Sequence, residues 1–129
     1  MAKPKIDKAL IEQWIAALRS GGYAQGKGAL RRGNKFCCLG VLCDLVDPTK
    51  WEVYDDMNID APTYKWADAS MFPRVHWLPP EIDVALGKPS MMKMPTGNLR
   101  LSDANDTGTP FTEIADGIEA HYKQIGAIT

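Results

Sequence analysis

The sequence predicts an α+β fold, a small single domain of about four helices with a short hairpin or small antiparallel sheet and a long irregular middle segment. Three observations predict it. Amphipathic 3.6-residue periodicity marks both ends of the chain, at residues 7–19 and from Thr109 onward. A glycine-punctuated basic stretch follows the first helix and carries Gly33-Asn34, a two-residue hairpin loop. From Thr49 to Pro80 the periodicity fades into aromatic and acidic residues. The 129 residues are enough for one core and too few for two, so residues 1–129 are read as one domain.

In chain order, Leu10, Ile11, Trp14, Ile15 and Leu18 give the first helix its apolar stripe, with Asp7 as N-cap and Ser20-Gly21-Gly22 as its stop. Trp14, in the middle of that stripe, is read as core. Tyr23 to Lys35 is a loop followed by a short hairpin. Phe36 to Val46 is a mostly buried helix ended by Asp47-Pro48, and Gly40 inside it implies that another element packs closely there. Trp51 to Tyr54 is a short strand, and Asp55 to Pro62 a turn-rich connection. Leu78 to Gly87 is a short helix begun through proline and stopped by glycine. Lys88 to Leu101 is an irregular crossing in which Met91, Met92 and Met94 fill gaps or make an adaptable contact surface, with an edge strand at Asn98 to Leu101. Ser102 to Gly108 is read as Asx-type turn chemistry. Calcium is disfavoured there, because Ile114 stands where the closing glutamate should be. Thr109 caps the last helix and Pro110 opens it; Phe111, Ile114, Ala115, Ile118, Tyr122 and Ile125 form its buried face.

Composition narrows the function classes. Lys plus Arg number 15 and Asp plus Glu 16, so the chain lacks the overall field that would hold duplex nucleic acid. No apolar run approaches the roughly 18 residues of a membrane span, and the start lacks a charged-then-apolar signal pattern, so a soluble cytosolic protein without membrane partners is expected. Cys37, Cys38 and Cys43 leave an odd thiol however they pair, and His76 and His121 are distant from them. Buried thiols are the reading, with no disulfide framework, no metal and no cofactor.

The functional signal is local. Between Glu12 and Asp44 there is no acidic residue, while Arg19, Lys27, Arg31, Arg32 and Lys35 supply five positive charges. Gly26, Gly28 and Gly33 allow tight turns and close approach of amides, and a helix beginning near Phe36 or Cys37 would aim its unpaired N–H groups at the same place. Together these features describe an anion site, most naturally for phosphate. The same residues also make an ordinary solvated hairpin turn. Neither a P-loop nor a dinucleotide-binding turn fits the glycine spacing. The candidate ligand-binding residues are Gly26, Lys27, Gly28, Arg31, Arg32 and Lys35, with Trp51 and Trp66 from the aromatic middle segment as covers for a base. No catalytic residue is assigned.

Several blocks carry a resemblance: Trp14-Ile-Ala-Ala-Leu-Arg-Ser-Gly, Tyr23-Ala-Gln-Gly-Lys-Gly-Ala-Leu-Arg, Phe36-Cys-Cys-Leu-Gly-Val-Leu-Cys-Asp-Leu, Leu78-Pro-Pro-Glu, and Asn105-Asp with Phe111-Thr-Glu-Ile-Ala-Asp-Gly-Ile-Glu. The chain resembles, over nearly its whole length, a family of small uncharacterised proteins of tailed bacteriophages. The resemblance implies action in the cytoplasm of a bacterial host and, by analogy with unrelated small phage proteins, a role against host defence. The expected function is therefore sequestration of a phosphate-bearing small molecule, a nucleotide immune signal, without turnover; a homo-oligomer remains open. Two alternatives stand beside it. One is a phosphoesterase using Asp103, Asp106 or His76, for which no convergent acid–base pair is visible in the spacing. The other is an inhibitor that docks on a host enzyme through the aromatic and methionine-rich middle.

Overall fold

The computed structural model describes residues 7–55, 62–66, 78–95 and 99–128. Five α-helices and a five-stranded mixed sheet are found among them, an α+β architecture. Helix α1 (Lys8–Ser20) begins where the Asp7 carboxylate accepts from Leu10 N and stops at Gly21, whose φ of 76° is the left-handed conformation that ends a helix without a Cβ clash. Helix α2 (Cys38–Val46) is capped by Cys37, whose Sγ accepts from Gly40 N. Asp47 ends it, and its carboxylate then caps the short 3-10 turn Pro48–Lys50 through Thr49 N. Helix α3 (Pro80–Ala85) has Pro80 in its first turn and Gly87 beyond its end.

From residue 99 to Phe111 the sequence expectations change. Residues 101–106, expected as edge strand and Asx turn, form helix α4 (Leu101–Asp106), and Leu101, Ala104 and Asn105 on it are buried. Burial of Leu101 and Ala104, one turn apart, outweighs the poor helix propensity of the Ser, Asp and Asn around them. Of the expected edge strand, Asn98 lies outside the described residues and Arg100 makes a single antiparallel bridge with Lys93. Helix α5 (Phe111–Gln124) follows, with Pro110 rather than Thr109 at its cap.

The core lies between α1, α2 and α5, with α4 packed on α2 and α5. Trp14 is fully buried, and its Nε1 donates to Cys38 O at 2.9 Å, which ties α1 to the start of α2. Tyr122 closes the other side, its hydroxyl donating to Leu86 O at 2.7 Å. Outside the core, Arg19 joins α1 to α5 through Asp116 and Glu119. Met92 is buried and Met94 packs on Gly117, whereas Met91 is exposed. Gly40 shows why the buried helix needs glycine: a Cβ there would run into the carbonyl of Leu30, the residue that leads into the hairpin.

The sheet sits on one side of this core in the order β1 (Ala24–Gln25), β3 (Lys35–Phe36), β2 (Arg31–Arg32), β5 (Thr63–Trp66), β4 (Trp51–Asp55). All neighbours are antiparallel except β1, which runs parallel to β3, so the sheet is mixed where a purely antiparallel one was expected. Strands β1 and β5 are additions to the sequence reading. Residues 56–61 of the expected turn-rich connection, and Phe72, His76 and Trp77, lie outside the described residues. Among the described residues no helix is long and apolar enough to cross a membrane.

Candidate functional site

The hairpin β2–β3 sets the geometry. Its register pairs Arg31 with Phe36 and Arg32 with Lys35 across the loop Gly33-Asn34. Gly33 has φ 57° while Asn34 does not have positive φ, the pattern of a type II′ turn. Because strand side chains alternate between faces, Arg32 and Lys35 share one face and Arg31 and Phe36 the other. Beside Lys35 runs β1: Gly26 N donates to Phe36 O at 2.8 Å, and a Cβ on Gly26 would stand 2.9 Å from Lys35 Cβ. The result is an open pocket of about 600 Å³ lined by Gln25, Gly26, Lys27, Arg32, Gly33, Asn34 and Lys35.

Lys27, Arg32 and Lys35 are all exposed, and the ion pairs among the described residues involve none of them. Arg32 and Lys35 stand directly opposite each other, an arrangement that costs stability when both carry the same charge. The Lys27 amine extends toward Gly108, 3.9 Å from where a Cβ on that glycine would stand. The pocket is thus a cationic concavity built from side chains.

The glycine amides do not join them. Gly26 N is bonded to Phe36 O, Gly33 N to Pro62 O at 2.8 Å, and Gly28 N to the Asp106 carboxylate at 3.0 Å. The first turn of α2, expected to aim free amides at the ligand, is buried: Cys37 N donates to Leu30 O and Gly40 N to Cys37 Sγ. Of the candidate residues, Gly26, Lys27, Arg32 and Lys35 come together in the pocket. Gly28 does not line it; with φ 80° it turns the chain toward Asp106.

Arg31, Trp51 and Trp66 are also placed elsewhere. The Arg31 guanidinium lies over Tyr64 at 4.1 Å, Phe36 at 5.2 Å and Trp51 at 5.7 Å, and its Nε donates to Gly33 O at 2.8 Å. It braces the turn from behind the pocket. Trp51 packs edge-on against Phe36, Tyr64 and Trp66, and Trp66 is 2% exposed. Their duty is packing, as expected of most aromatics in a loop-rich segment. Asp44 anchors this cluster, one carboxylate oxygen accepting from Tyr23 OH at 2.7 Å and the other from Trp51 Nε1 at 3.0 Å. Burial, then the hydrogen bond to Asp44, pushes the Tyr23 hydroxyl up to about 12.

A residue absent from the sequence-based candidates holds the pocket's floor. Asn105 is fully buried; its Nδ2 donates to Gly26 O at 2.8 Å and its Oδ1 accepts from Gln25 Nε2 at 2.9 Å. Gln25 Nε2 also donates to Thr109 O at 2.7 Å. Asn105 and Asp106 therefore clamp the glycine-rich loop onto α4 from a sequence distance of 78 to 79 residues. The Asn105-Asp106 pair was visible as a block in the sequence, but nothing local to it says that its partner is the loop.

The thiols and Asp106 are accounted for within the fold. Cys37, Cys38 and Cys43 are buried, and burial raises all three thiols, Cys37 to about 11. Asp106 is engaged with Gly28 N and Asn105 Nδ2. Among the described residues no group of three His, Cys, Asp or Glu could hold a metal ion.

A family model described as a domain of unknown function (DUF8296) matches residues 6–122, and the chain belongs to that family. Neither the curated proteins nor the solved structures give a match.

Proposed function

We propose that the protein binds a phosphate-bearing small molecule at the hairpin pocket and holds it without turnover. The observation that carries this reading is the directly opposed Arg32–Lys35 pair, joined by Lys27 on an open concavity where no ion pair among the described residues relieves it. Left empty, the pair is repulsive; an anion between the two side chains turns the repulsion into attraction. Arginine offers a planar fork for phosphate oxygens and the lysines add point charge. Storage fits better than cleavage, because Asp106 is committed to the loop and no acid–base pair converges on the pocket among the described residues. The resemblance to small phage proteins extends the proposal to a nucleotide signal of host defence, sequestered in the bacterial cytoplasm.

The test is a thermal-shift panel of phosphate, mononucleotides and cyclic nucleotides against the wild type and an Arg32→Ala/Lys35→Ala variant. A melting temperature that rises with ligand in the wild type and stays flat in the variant supports the pocket. Ligand recovered chemically unchanged after denaturing the complex supports storage. Equal shifts in both proteins, or none in either, would remove the proposal.

A further inference from the structure

Resting on that reading, we infer that the pocket selects the polyphosphate end of its ligand, a linear di- or triphosphate, and is indifferent to the base. Charge and geometry carry the inference together. Lys27, Arg32 and Lys35 bring three positive side chains to one pocket, and the ion pairs among the described residues leave all three uncompensated. A phosphodiester brings one negative charge and a terminal monophosphate roughly 1.5 to 2 at neutral pH. Each further anhydride-linked phosphoryl adds another, so a linear di- or triphosphate matches three cations on one pocket with charge held on adjacent phosphoryl groups.

The glycine amides reinforce the point by being spent. Gly26 N and Gly33 N on the lining, and Gly28 N beside it, are all bonded within the protein, so the glycines do not offer a nest preset to one phosphate's tetrahedral oxygens. Recognition falls to long, mobile cationic side chains, which respond to how much charge the ligand brings. The described lining residues include no Phe, Tyr or Trp, and Phe36, Trp51 and Tyr64 are committed behind the hairpin with Arg31. Base stacking, the usual source of affinity for the nucleoside half, has no platform among the described lining residues.

The test is isothermal titration calorimetry on the full chain at low salt without magnesium, using orthophosphate, pyrophosphate, tripolyphosphate, ATP, GTP and cyclic di-AMP. Affinity is expected to tighten about three- to tenfold with each added phosphoryl. ATP, GTP and tripolyphosphate should agree within about threefold, and Arg32→Ala should weaken all three. Cyclic di-AMP binding more tightly than tripolyphosphate, or ATP and GTP differing more than tenfold, would overturn the polyphosphate inference while leaving a phosphate pocket in place. Binding that ignores Arg32→Ala, or no binding by any probe, would overturn both. Tripolyphosphate binding well below ATP and GTP would place the recognition in the nucleoside and also refute the inference.

Discussion

Replacing Arg31 and Arg32 by alanine, one at a time, separates two roles that lie side by side in the chain. Arg31 is half-buried, its Nε donates to Gly33 O at 2.8 Å, and its guanidinium lies 4.1 Å over the Tyr64 ring. A hydrogen bond from a charged donor contributes about 1.5 kcal/mol at the low end, and a partly exposed cation–π contact about 0.5–1 kcal/mol. Arg31→Ala should therefore cost about 2 kcal/mol, a fall in melting temperature of about 8 °C for a domain of this size. Arg32 is exposed and opposes Lys35, so Arg32→Ala should leave stability within about 0.5 kcal/mol or raise it slightly. Binding should respond in the reverse order, with pyrophosphate affinity falling about tenfold in Arg32→Ala and less than about threefold in folded Arg31→Ala. Arg31→Lys keeps the charge and loses the directed Nε bond, so it should fall between wild type and Arg31→Ala in stability. Urea denaturation followed by far-ultraviolet circular dichroism avoids the confounding change in Trp51 fluorescence, and calorimetry reads the affinity. Equal loss of stability in the two alanine variants, or equal loss of affinity, would refute the two-faced hairpin.

Two further predictions follow from groups around the pocket. Asn105→Ala leaves Gly26 O without its buried donor and should cost about 1–3 kcal/mol in urea denaturation. It should also weaken pyrophosphate binding more than its stability loss explains, and unchanged affinity would show that the clamp does not shape the pocket. The Tyr23 hydroxyl titrates near 12 in the folded protein against its ordinary value of 10, because burial and the bond to Asp44 favour the neutral form. The unfolded chain loses that proton first, so this group's contribution to stability should be fully present below pH 10 and drain away as pH rises toward 12. Tyr23→Phe should flatten that part of the profile, leaving the contributions of Tyr122 and of the three thiols, all of which burial raises.

The helices were legible wherever an apolar stripe was long enough. Residues 7–19 and the segment after Thr109 carry several turns of 3.6-residue periodicity, and Gly40 announced a close approach that proves to be the Leu30 carbonyl. Helix α4 was hidden because six residues offer only Leu101 and Ala104 as an apolar pair, while Ser102, Asp103, Asn105 and Asp106 read as turn chemistry. Burial against α2 and α5 decides that segment, and it is not a local property. The two-residue strand β1 and the four-residue β5 are defined by the strands they pair with, β3 for the first and β2 and β4 for the second, rather than by a periodic pattern of their own.

The site was legible in charge and incomplete in direction. Once Gly33-Asn34 is taken as a two-residue loop, Arg32 must oppose Lys35 and Arg31 must oppose Phe36, so the parity of the strand already divides the two arginines. The partners of the glycine-rich loop could not be read the same way, since the Gly28 amide finds Asp106 and the Gly26 carbonyl finds Asn105 Nδ2 only after α4 has docked. That docking determines the physics of the pocket. With its glycine amides committed, the pocket's attraction for an anion rests on exposed cations, whose field is screened within about 10 Å at 0.1 M salt. A chain of net charge −1 can nevertheless attract an anion here, because Lys27, Arg32 and Lys35 line one pocket and no acidic residue is among its described lining. What an approaching ligand meets at the hairpin is the face carrying Lys27, Arg32 and Lys35, and the average charge of the molecule is a poor guide to it.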